Sequence, residues 1–189
     1  DLVAERVDVA LRVGPIRQTG LAVRRVTQVN IVTCAAPTYL QDHGEPKTPD
    51  DLRQHKLVGL TGASGAPPEW TFPPPYTPKR LGLKFSMLFN SIEGPIIAAV
   101  AGLGITHTAD LIVAEYVGRG ELQLILEDFV VPGPPISFVY PSAGHQLAKV
   151  RVFSDFAADL LLRWNEEVRR WIKQPSRLPA PVPAPVSAR

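Results

Sequence analysis

The stretch from Asn90 to Ile105 constrains the fold of this chain most. Asn90 and Ser91 follow an apolar run, and Ser91 is a favourable N-cap for the apolar segment after it. Gly102 and Gly104 then mark a turn into a second apolar run. A strand, a capped helix and a further strand in this order predict an α/β domain, in which ligands bind beside strand ends and helix N-termini. The pattern therefore favours ligand binding over catalysis.

Segments on either side of this stretch predict a second lobe. Residues 7–13 alternate apolar and polar side chains, and Gly14 ends the run, as in a strand that stops at a turn. Residues 21–35 are rich in β-branched side chains but too long for one ordinary strand, so we expect two strands that meet near residues 29–31. A proline-rich linker at 127–135, ahead of a strand at 136–140, is expected to carry a second crossing between lobes.

The strongest helix signal covers residues 149–173. Apolar side chains recur there at steps of three and four residues, which predicts one buried face. These side chains are Val150, Phe153, Phe156, Ala157, Leu160, Trp164, Val168 and Trp171. Residues 174–189 alternate proline with Ala, Val and Ser, and we expect this tail to be extended and disordered because it cannot build a core.

Shorter signals predict the remaining elements. Thr48 is expected to cap a short helix, with Asp51 completing a capping box. The other predicted elements are helices at 36–43 and 109–116 and strands at 57–60, 70–72, 81–89, 102–107 and 122–126.

Composition limits the functional classes. The 189 residues are 45% hydrophobic and 20% charged, enough for a buried core, and the net charge of +2 is too small to indicate nucleic-acid binding by bulk electrostatics. Cys34 is the single cysteine, so no internal disulfide is expected. The apolar runs are too short for a membrane span, and no signal sequence opens the chain. We expect a cytoplasmic globular protein, and the start at Asp1 indicates a piece of a longer one.

Two sequence motifs of enzymes are incomplete here. Residues 102–107 lack the third glycine of a dinucleotide-binding fingerprint, and residues 62–66 lack the final glycine of a nucleophile elbow. Nothing identifies a base or a resolving thiol for Cys34, so packing is its simpler explanation. The sequence predicts no enzyme activity, no cofactor and no metal.

The order and spacing of several blocks resemble the effector-binding domain of LysR-type transcriptional regulators. No single block is specific, and the resemblance covers roughly residues 1–171. The blocks are 1–14 (DLVAERVDVALRVG), 34–40 (CAAPTYL), Gly44, 48–52 (TPDDL), 90–91 (NS), 101–105 (AGLGI), 120–122 (GEL), 139–141 (VYP) and 149–156 (KVRVFSDF).

This resemblance implies a two-lobed α/β fold like that of type 2 periplasmic binding proteins, and the alternation of strands and helices predicts mainly parallel sheets. The first lobe is expected at residues 1–30 and 136–173, the second at 31–135, and the disordered tail at 174–189. Family members carry a winged helix-turn-helix, a linker helix and a strand–helix–strand unit ahead of the block that starts here. The first lobe is therefore expected to be incomplete, with sheet edges and apolar surface exposed.

Nine residues are candidate effector-binding positions on the two sides of the predicted cleft. They are Arg12, Val13, Gly14, Cys34, Ala35, Asn90, Ser91, Thr106 and His107. Ser91 offers a hydroxyl and the free N–H groups of a helix start to an anion, although helix capping alone also explains it. His107 could donate to an anion or be a partly buried structural histidine. Gly14 permits close backbone approach to a ligand, although a strand-ending turn is the simpler explanation.

The resemblance implies a sensor of a small anionic effector, in a regulator that works as a homodimer or tetramer. Bound effector would shift the population of lobe arrangements, and DNA contact would belong to an N-terminal domain outside this chain. The alternative is a solute-binding protein that feeds a transporter, which shares the two-lobed fold. A hydrolase or transferase has no residue set to support it, and no membrane partner is expected.

Overall fold

The computed structural model describes residues 2, 6–16, 20–62, 65–141 and 148–173, and the predicted tail at 174–189 lies outside them. The strands are β1 (Ala10–Val13), β2 (Leu21–Ala35), β3 (Val58–Leu60), β4 (Met87–Phe89), β5 (Thr106–Ala109), β6 (Gln123–Ile125) and β7 (Val131–Pro141). The helices are α1 (Pro37–His43), α2 (Pro78–Leu81), α3 (Glu93–Val100), α4 (Asp110–Gly118) and α5 (Ala148–Lys173), with 3-10 turns at Pro49–Gln54 and Glu127–Phe129. The described residues form the predicted α/β domain.

Strand β2 joins two parts of the main sheet. Residues 21–31 pair with β7, whereas residues 31–35 pair with β5 on one side and β6 on the other. The register between β2 and β7 shifts twice between residues 25 and 30. The prediction of two strands meeting near residues 29–31 is therefore wrong. One continuous strand changes partners there, and the bulged register absorbs the change.

Strand β7 contradicts the predicted proline-rich linker. Residues 131–141 form one strand antiparallel to β2, and β1 pairs with its C-terminal half. Proline lacks the N–H that a sheet ladder uses, but the carbonyl groups of this segment still accept hydrogen bonds. Gln28 Nε2 donates to Gly133 O at 2.6 Å, and the Gly14 N–H donates to Pro135 O at 2.9 Å. Accepting carbonyl groups let this strand tolerate its prolines.

The expectation of mainly parallel sheets is wrong for the described strands. β7 pairs antiparallel with both β1 and β2, and β2 pairs antiparallel with both β5 and β6. Parallel pairing joins β3 to β4, extended by a parallel bridge between Leu57 and Ile105. Strand–helix alternation predicts parallel pairing only when consecutive strands are neighbours in the sheet. Here β2 lies between β7 and β5, which come from distant parts of the chain.

Two apolar clusters cover opposite faces of the sheet around the C-terminal end of β2. The cluster that contains Ala35 includes Tyr39, Leu40, Leu52, Leu57, Trp70, Phe72, Leu81, Ile105, Ile125 and Leu126. The cluster that contains Cys34 includes Val32, Val58, Ile96, Ala98, Ala99, Val113, Val117 and Leu122. Because successive residues of a strand point to opposite faces, Cys34 and Ala35 enter different clusters. This half of the molecule is packed on both sides.

Local predictions between residues 48 and 89 have mixed outcomes. The capping box is confirmed, because the Thr48 N–H donates to Asp51 Oδ2 at 2.8 Å at the start of Pro49–Gln54. Residues 70–72 form no strand, and the rings of Trp70 and Phe72 are buried in the first cluster instead. The strand predicted at 81–89 shrinks to Met87–Phe89. A strand needs a neighbouring edge, which local sequence does not reveal.

Helix α5 is confirmed, but its predicted buried face is wrong for four side chains. Phe153, Phe156, Leu160 and Trp164 are 55%, 65%, 57% and 41% exposed. The buried line consists of Val150, Ser154, Ala158, Asn165 and Val168. Because α5 packs against α4 and β2, these neighbours cover only part of its apolar stripe. Among the described helices, none has the length and apolar character needed to cross a bilayer.

Candidate functional site

The first group of predicted site residues lies at the end of β1. Val13 pairs with Ile136 of β7 and is 62% exposed. Arg12, its neighbour in the strand, is exposed too. Gly14 has φ = +108°, a backbone conformation that residues with a side chain rarely adopt. A Cβ atom built there would meet no other atom within 4 Å. The geometry supports the strand-ending turn at Gly14 and leaves open space next to it.

Cys34 and Ala35 lie in the core, not on an open surface. Both side chains are fully buried, one in each apolar cluster. Burial disfavours the thiolate and raises the pKa of Cys34 to about 12. The thiol is therefore protonated at neutral pH and packs as a small apolar group. These two residues can shape a site only through the strand that carries them.

Thr106 and His107 are adjacent in β5 but face opposite sides of the sheet. Thr106 lies opposite Cys34 in the register and is 1% exposed. His107 lies opposite Thr33, and its ring packs against Trp70 and Phe72, with ring centres 5.1 and 4.7 Å away. Thr106 is therefore a core residue, whereas His107 belongs to an aromatic cluster with the loop before β4.

Both ring nitrogens of His107 have hydrogen-bond partners. Nε2 lies 3.2 Å from the carbonyl oxygen of Thr71, and Nδ1 lies 2.9 Å from Thr33 Oγ1. A carbonyl can only accept, so Nε2 carries the proton and Nδ1 accepts from the Thr33 hydroxyl. Desolvation lowers the pKa of His107 to about 4, which keeps the ring neutral near pH 7. This arrangement is that of a structural histidine, one of the two alternatives predicted.

Asn90 and Ser91 lie exposed between β4 and α3. The N-cap of α3 is Ile92 rather than the predicted Ser91, but Ser91 Oγ still accepts from the Gly94 N–H of the first turn at 3.3 Å and keeps its own proton to donate. Thr61 follows β3 at the same level, and its N–H donates to Phe89 O at 2.7 Å. Three polar side chains, from Thr61, Asn90 and Ser91, thus follow the ends of two neighbouring strands.

The strand directions show which predicted residues converge. β3 and β4 run parallel, and the parallel bridge between Leu57 and Ile105 gives β5 the same direction. The carboxyl ends of β5, β3 and β4 therefore lie on one edge, where Ala109 pairs with Ile31 of β2. Ligands in α/β domains bind beside such an edge.

The end of β1 points at the same part of β2. Val13 lies opposite Ile136, which lies opposite Thr27, only four residues before Ile31. At ~3.3 Å per residue, the ends of β1 and β5 are separated by about 13 Å along β2, and the three strand spacings of ~4.8 Å between β1 and β5 add about 14 Å across the sheet. Arg12, Val13 and Gly14 thus lie at the end of a strand that points toward the carboxyl end of β5, whereas Cys34, Ala35 and Thr106 lie inside the core.

Sequence reasoning missed several residues of this region. Thr33 and Thr71 hold the His107 ring, and the aromatic pair in the proline-rich loop encloses it. One sequence signal could have indicated that this loop is partly buried: it carries two large aromatic residues although it is otherwise rich in proline and glycine. Thr61 carried no signal, because its position depends on the pairing of β3 with β4.

A family model matches most of the chain. The LysR substrate binding domain model matches residues 1–161 of the chain. The chain belongs to this family. A Haemophilus influenzae protein named as an uncharacterized HTH-type transcriptional regulator is 31% identical over 150 residues, which cover 79% of this chain and 52% of that protein. The regulator YhjC of Escherichia coli is 28% identical over 172 residues, covering 85% of this chain and 54% of YhjC. The LysR-family chain thus spans about half the length of these curated relatives.

Solved structures of LysR-type regulators share the fold. CrgA from Neisseria meningitidis has a TM-score of 0.69 at 25% identity, covering 88% of this chain and 54% of CrgA. The regulatory domain of CrgA alone has a TM-score of 0.66 at 24% identity, covering 84% of this chain and 78% of that one, which is a likeness of fold. The periplasmic-binding-protein-like α/β fold of these regulatory domains is confirmed. Because the named relatives are transcriptional regulators, they favour the LysR interpretation over a transporter's solute-binding protein or an enzyme.

Proposed function

We propose that this LysR-family domain senses a small anionic effector held between the end of β1 and the carboxyl edge of β5, β3 and β4. The carrying observation is that the ends of β1 and β5 point toward each other along residues 27–31 of β2, with about 13 Å between them along the strand at ~3.3 Å per residue and about 14 Å across the sheet at ~4.8 Å per strand. Such a span accommodates a molecule of metabolite size. Family membership supports the same role, since the matched family is described as a substrate-binding domain.

The exposed polar groups on both sides favour an anion. The Arg12 guanidinium lies on the β1 side, and the Asn90 amide with the Ser91 hydroxyl lies on the other, beside the N-terminus of α3. Guanidinium, amide and hydroxyl groups all donate hydrogen bonds, and a helix N-terminus favours negative charge. Neutral His107 adds no charge, so Arg12 is the residue on which we expect effector charge recognition to depend most.

Signal transmission is proposed to use the crossing strands. β2 and β7 pair over the span where their register shifts. On one side of this span β7 also pairs with β1, and on the other side β2 pairs with β5 and β6. We propose that the parts of the molecule at the two ends of this span can adopt two relative arrangements. An effector that contacts both ends shifts the population toward the arrangement that it binds more tightly. In the intact regulator, we propose that this change reaches DNA through a helix-turn-helix and a homodimer or tetramer in the cytoplasm, as expected for relatives named HTH-type regulators.

The test is a thermal-shift titration of the intact regulator with benzoate, salicylate, succinate and 2-oxoglutarate. We expect at least one anion to raise Tm by about 5–10 °C at a hundredfold excess over its Kd. Arg12→Gln and Ser91→Ala should each reduce the shift, whereas Arg170→Gln, an exposed change on α5, should not. Shifts that survive both site variants unchanged, or no shift with any of the four anions, would overturn the proposal.

A further inference from the structure

Helix α5 carries an apolar stripe that its described neighbours leave exposed. We call it the outer stripe, and it consists of Val152, Phe153, Phe156, Leu160 and Trp164. These side chains are between 41% and 66% exposed, and at 3.6 residues per turn they fall within about one third of the helix surface. Single exposed apolar side chains are ordinary, but a contiguous stripe with three aromatic rings marks a surface that binds another segment or another chain.

A cavity continues the outer stripe at its N-terminal end. It has a volume of about 350 Å³ and is lined by Val9, Val150 and Phe153, with the ion pair of Lys149 and Asp8 at its wall. The cavity lies where the start of α5 meets the segment ahead of β1. An extended apolar segment that follows the stripe would therefore reach a second apolar contact at this end.

The sequence after α5 has the composition to cover the outer stripe. Residues 178–186, LPAPVPAPV, are nine apolar residues without a charge, and four of them are proline. Such a segment prefers the polyproline II helix, which has three residues per turn, so every face of that helix is apolar here. Grooves lined by aromatic side chains bind this conformation, because the preformed helix loses little conformational entropy on binding.

The length of this segment fits the distance it has to cover. Lys173 and Phe153 are ~30 Å apart along α5 at ~1.5 Å per residue. Residues 178–186 span ~28 Å at ~3.1 Å per residue of polyproline II helix. Pro175 and Ser176, which favour turns, lie between α5 and this segment. A reversal directly after α5 would set the segment antiparallel to the helix and bring its end to the cavity.

We propose that residues 178–186 fold back as a polyproline II helix onto the outer stripe of α5 in the same chain. The prolines and valines would pack against the rings of Phe153, Phe156 and Trp164, and the end of the segment would contact Val150 in the cavity wall. The tail stays extended, as its composition predicts, but this contact orders it. Its role is to shield an apolar surface that would otherwise draw copies of the protein together.

Disulfide cross-linking in the intact regulator, with its other reactive cysteines replaced by serine, tests the proposal. Cys34 does not interfere, because it is fully buried and its pKa of about 12 keeps the thiol protonated. Ala188→Cys is paired either with Val152→Cys, at the far end of the outer stripe, or with Arg170→Cys. Residues 152 and 170 are about five full helical turns apart and face the same direction, so the second pair is the matched control.

A docked tail and a free tail give opposite results in this experiment. If the tail docks, we expect the disulfide between residues 188 and 152 of one chain to form at least tenfold faster than that between residues 188 and 170. A free tail favours residue 170, because fewer residues of chain separate it from residue 188. Equal or faster linkage to residue 170 would overturn the proposal. Disulfides that join two copies would also overturn it, by showing that a second copy covers the stripe.

Two double variants separate the stripe from the conformation of the tail. Phe156→Ser with Leu160→Ser should remove the preference for residue 152 without unfolding α5, since these side chains are 65% and 57% exposed. Pro181→Gly with Pro183→Gly should do the same, because glycine loses the polyproline II preference. Val23→Ser, which changes a half-exposed apolar residue on β2, is the control and should leave the preference intact. A preference that survives both double variants would overturn the proposal.

Discussion

The two ends of β2 differ in how they are covered. Around its C-terminal end, apolar clusters pack on both faces of the sheet, and Leu57 and Ile105 are fully buried. Along its N-terminal part, the sheet with β7 and β1 leaves Leu11, Val13 and Val23 at 49%, 62% and 51% exposed. The first region contributes most of the stability, because the buried apolar area is concentrated there. The second offers open surface next to the proposed effector site.

The largest expected effect is a cavity in the doubly covered region. Leu57→Ala removes a fully buried side chain and should lower the free energy of unfolding by about 2–5 kcal/mol. The matched change Leu11→Ala, in the open region, should cost less than about 1 kcal/mol. Urea denaturation of the intact regulator measures both, and similar losses for the two variants would contradict the difference in packing.

His107 makes the covered region sensitive to acid. Its pKa is about 4 in the folded chain against 6.5 for an ordinary histidine, so the unfolded chain binds the proton more tightly. The free energy of unfolding should therefore fall as the pH drops from about 6.5 to about 4, by on the order of 3 kcal/mol at ~1.4 kcal/mol per pH unit. Above pH 6.5 this group contributes no pH dependence.

His107→Gln provides the comparison for that titration. Because glutamine does not titrate, the variant should lose stability less steeply than the parent between pH 6.5 and pH 4. Denaturant midpoints recorded at half-unit intervals give the two slopes. An identical slope in both proteins would mean that the pKa of His107 is not lowered in the folded chain.

Two glycines extend the difference between the two regions to the backbone. A Cβ at Gly104 would lie 2.5 Å from the carbonyl oxygen of Lys56, so Gly104→Ala should destabilise the covered region by about 1–3 kcal/mol. Gly14→Ala meets no atom within 4 Å and should cost about 1 kcal/mol through its positive φ alone. Thermal unfolding of both variants checks the order of the two losses, which would reverse if the turn before β5 that carries Gly104 could move away from Lys56.

The smallest effects are expected where α5 meets the sheet. Ser154 Oγ is buried without a hydrogen-bond partner in the described part of the chain, so Ser154→Ala should change stability by less than about 0.5 kcal/mol. Asn165→Ala instead loses the 2.6 Å bond from Nδ2 to Thr27 Oγ1 and should cost about 1 kcal/mol. Equal losses would indicate that the Ser154 hydroxyl has a partner in solution.

Local signals were sufficient for much of the fold. The turn at Gly14, the capping box of Thr48 and Asp51, and helices α4 and α5 follow from residues close together in sequence. The family resemblance led to the correct fold, although the predicted boundaries of the lobes and the effector-binding roles of the nine residues stay predictions. Strand pairing direction was wrong because it depends on which distant segments become neighbours.

Residues close together in sequence set the approximate ends of α1, α4 and α5, because capping and φ preferences act within a few residues. The short helix α2 was not predicted. The assembled fold, in contrast, sets which part of the α5 stripe is covered and why His107 is neutral. Each of these depends on groups separated by tens of residues, and burial and electrostatic environment are properties of the assembled neighbours rather than of any one segment.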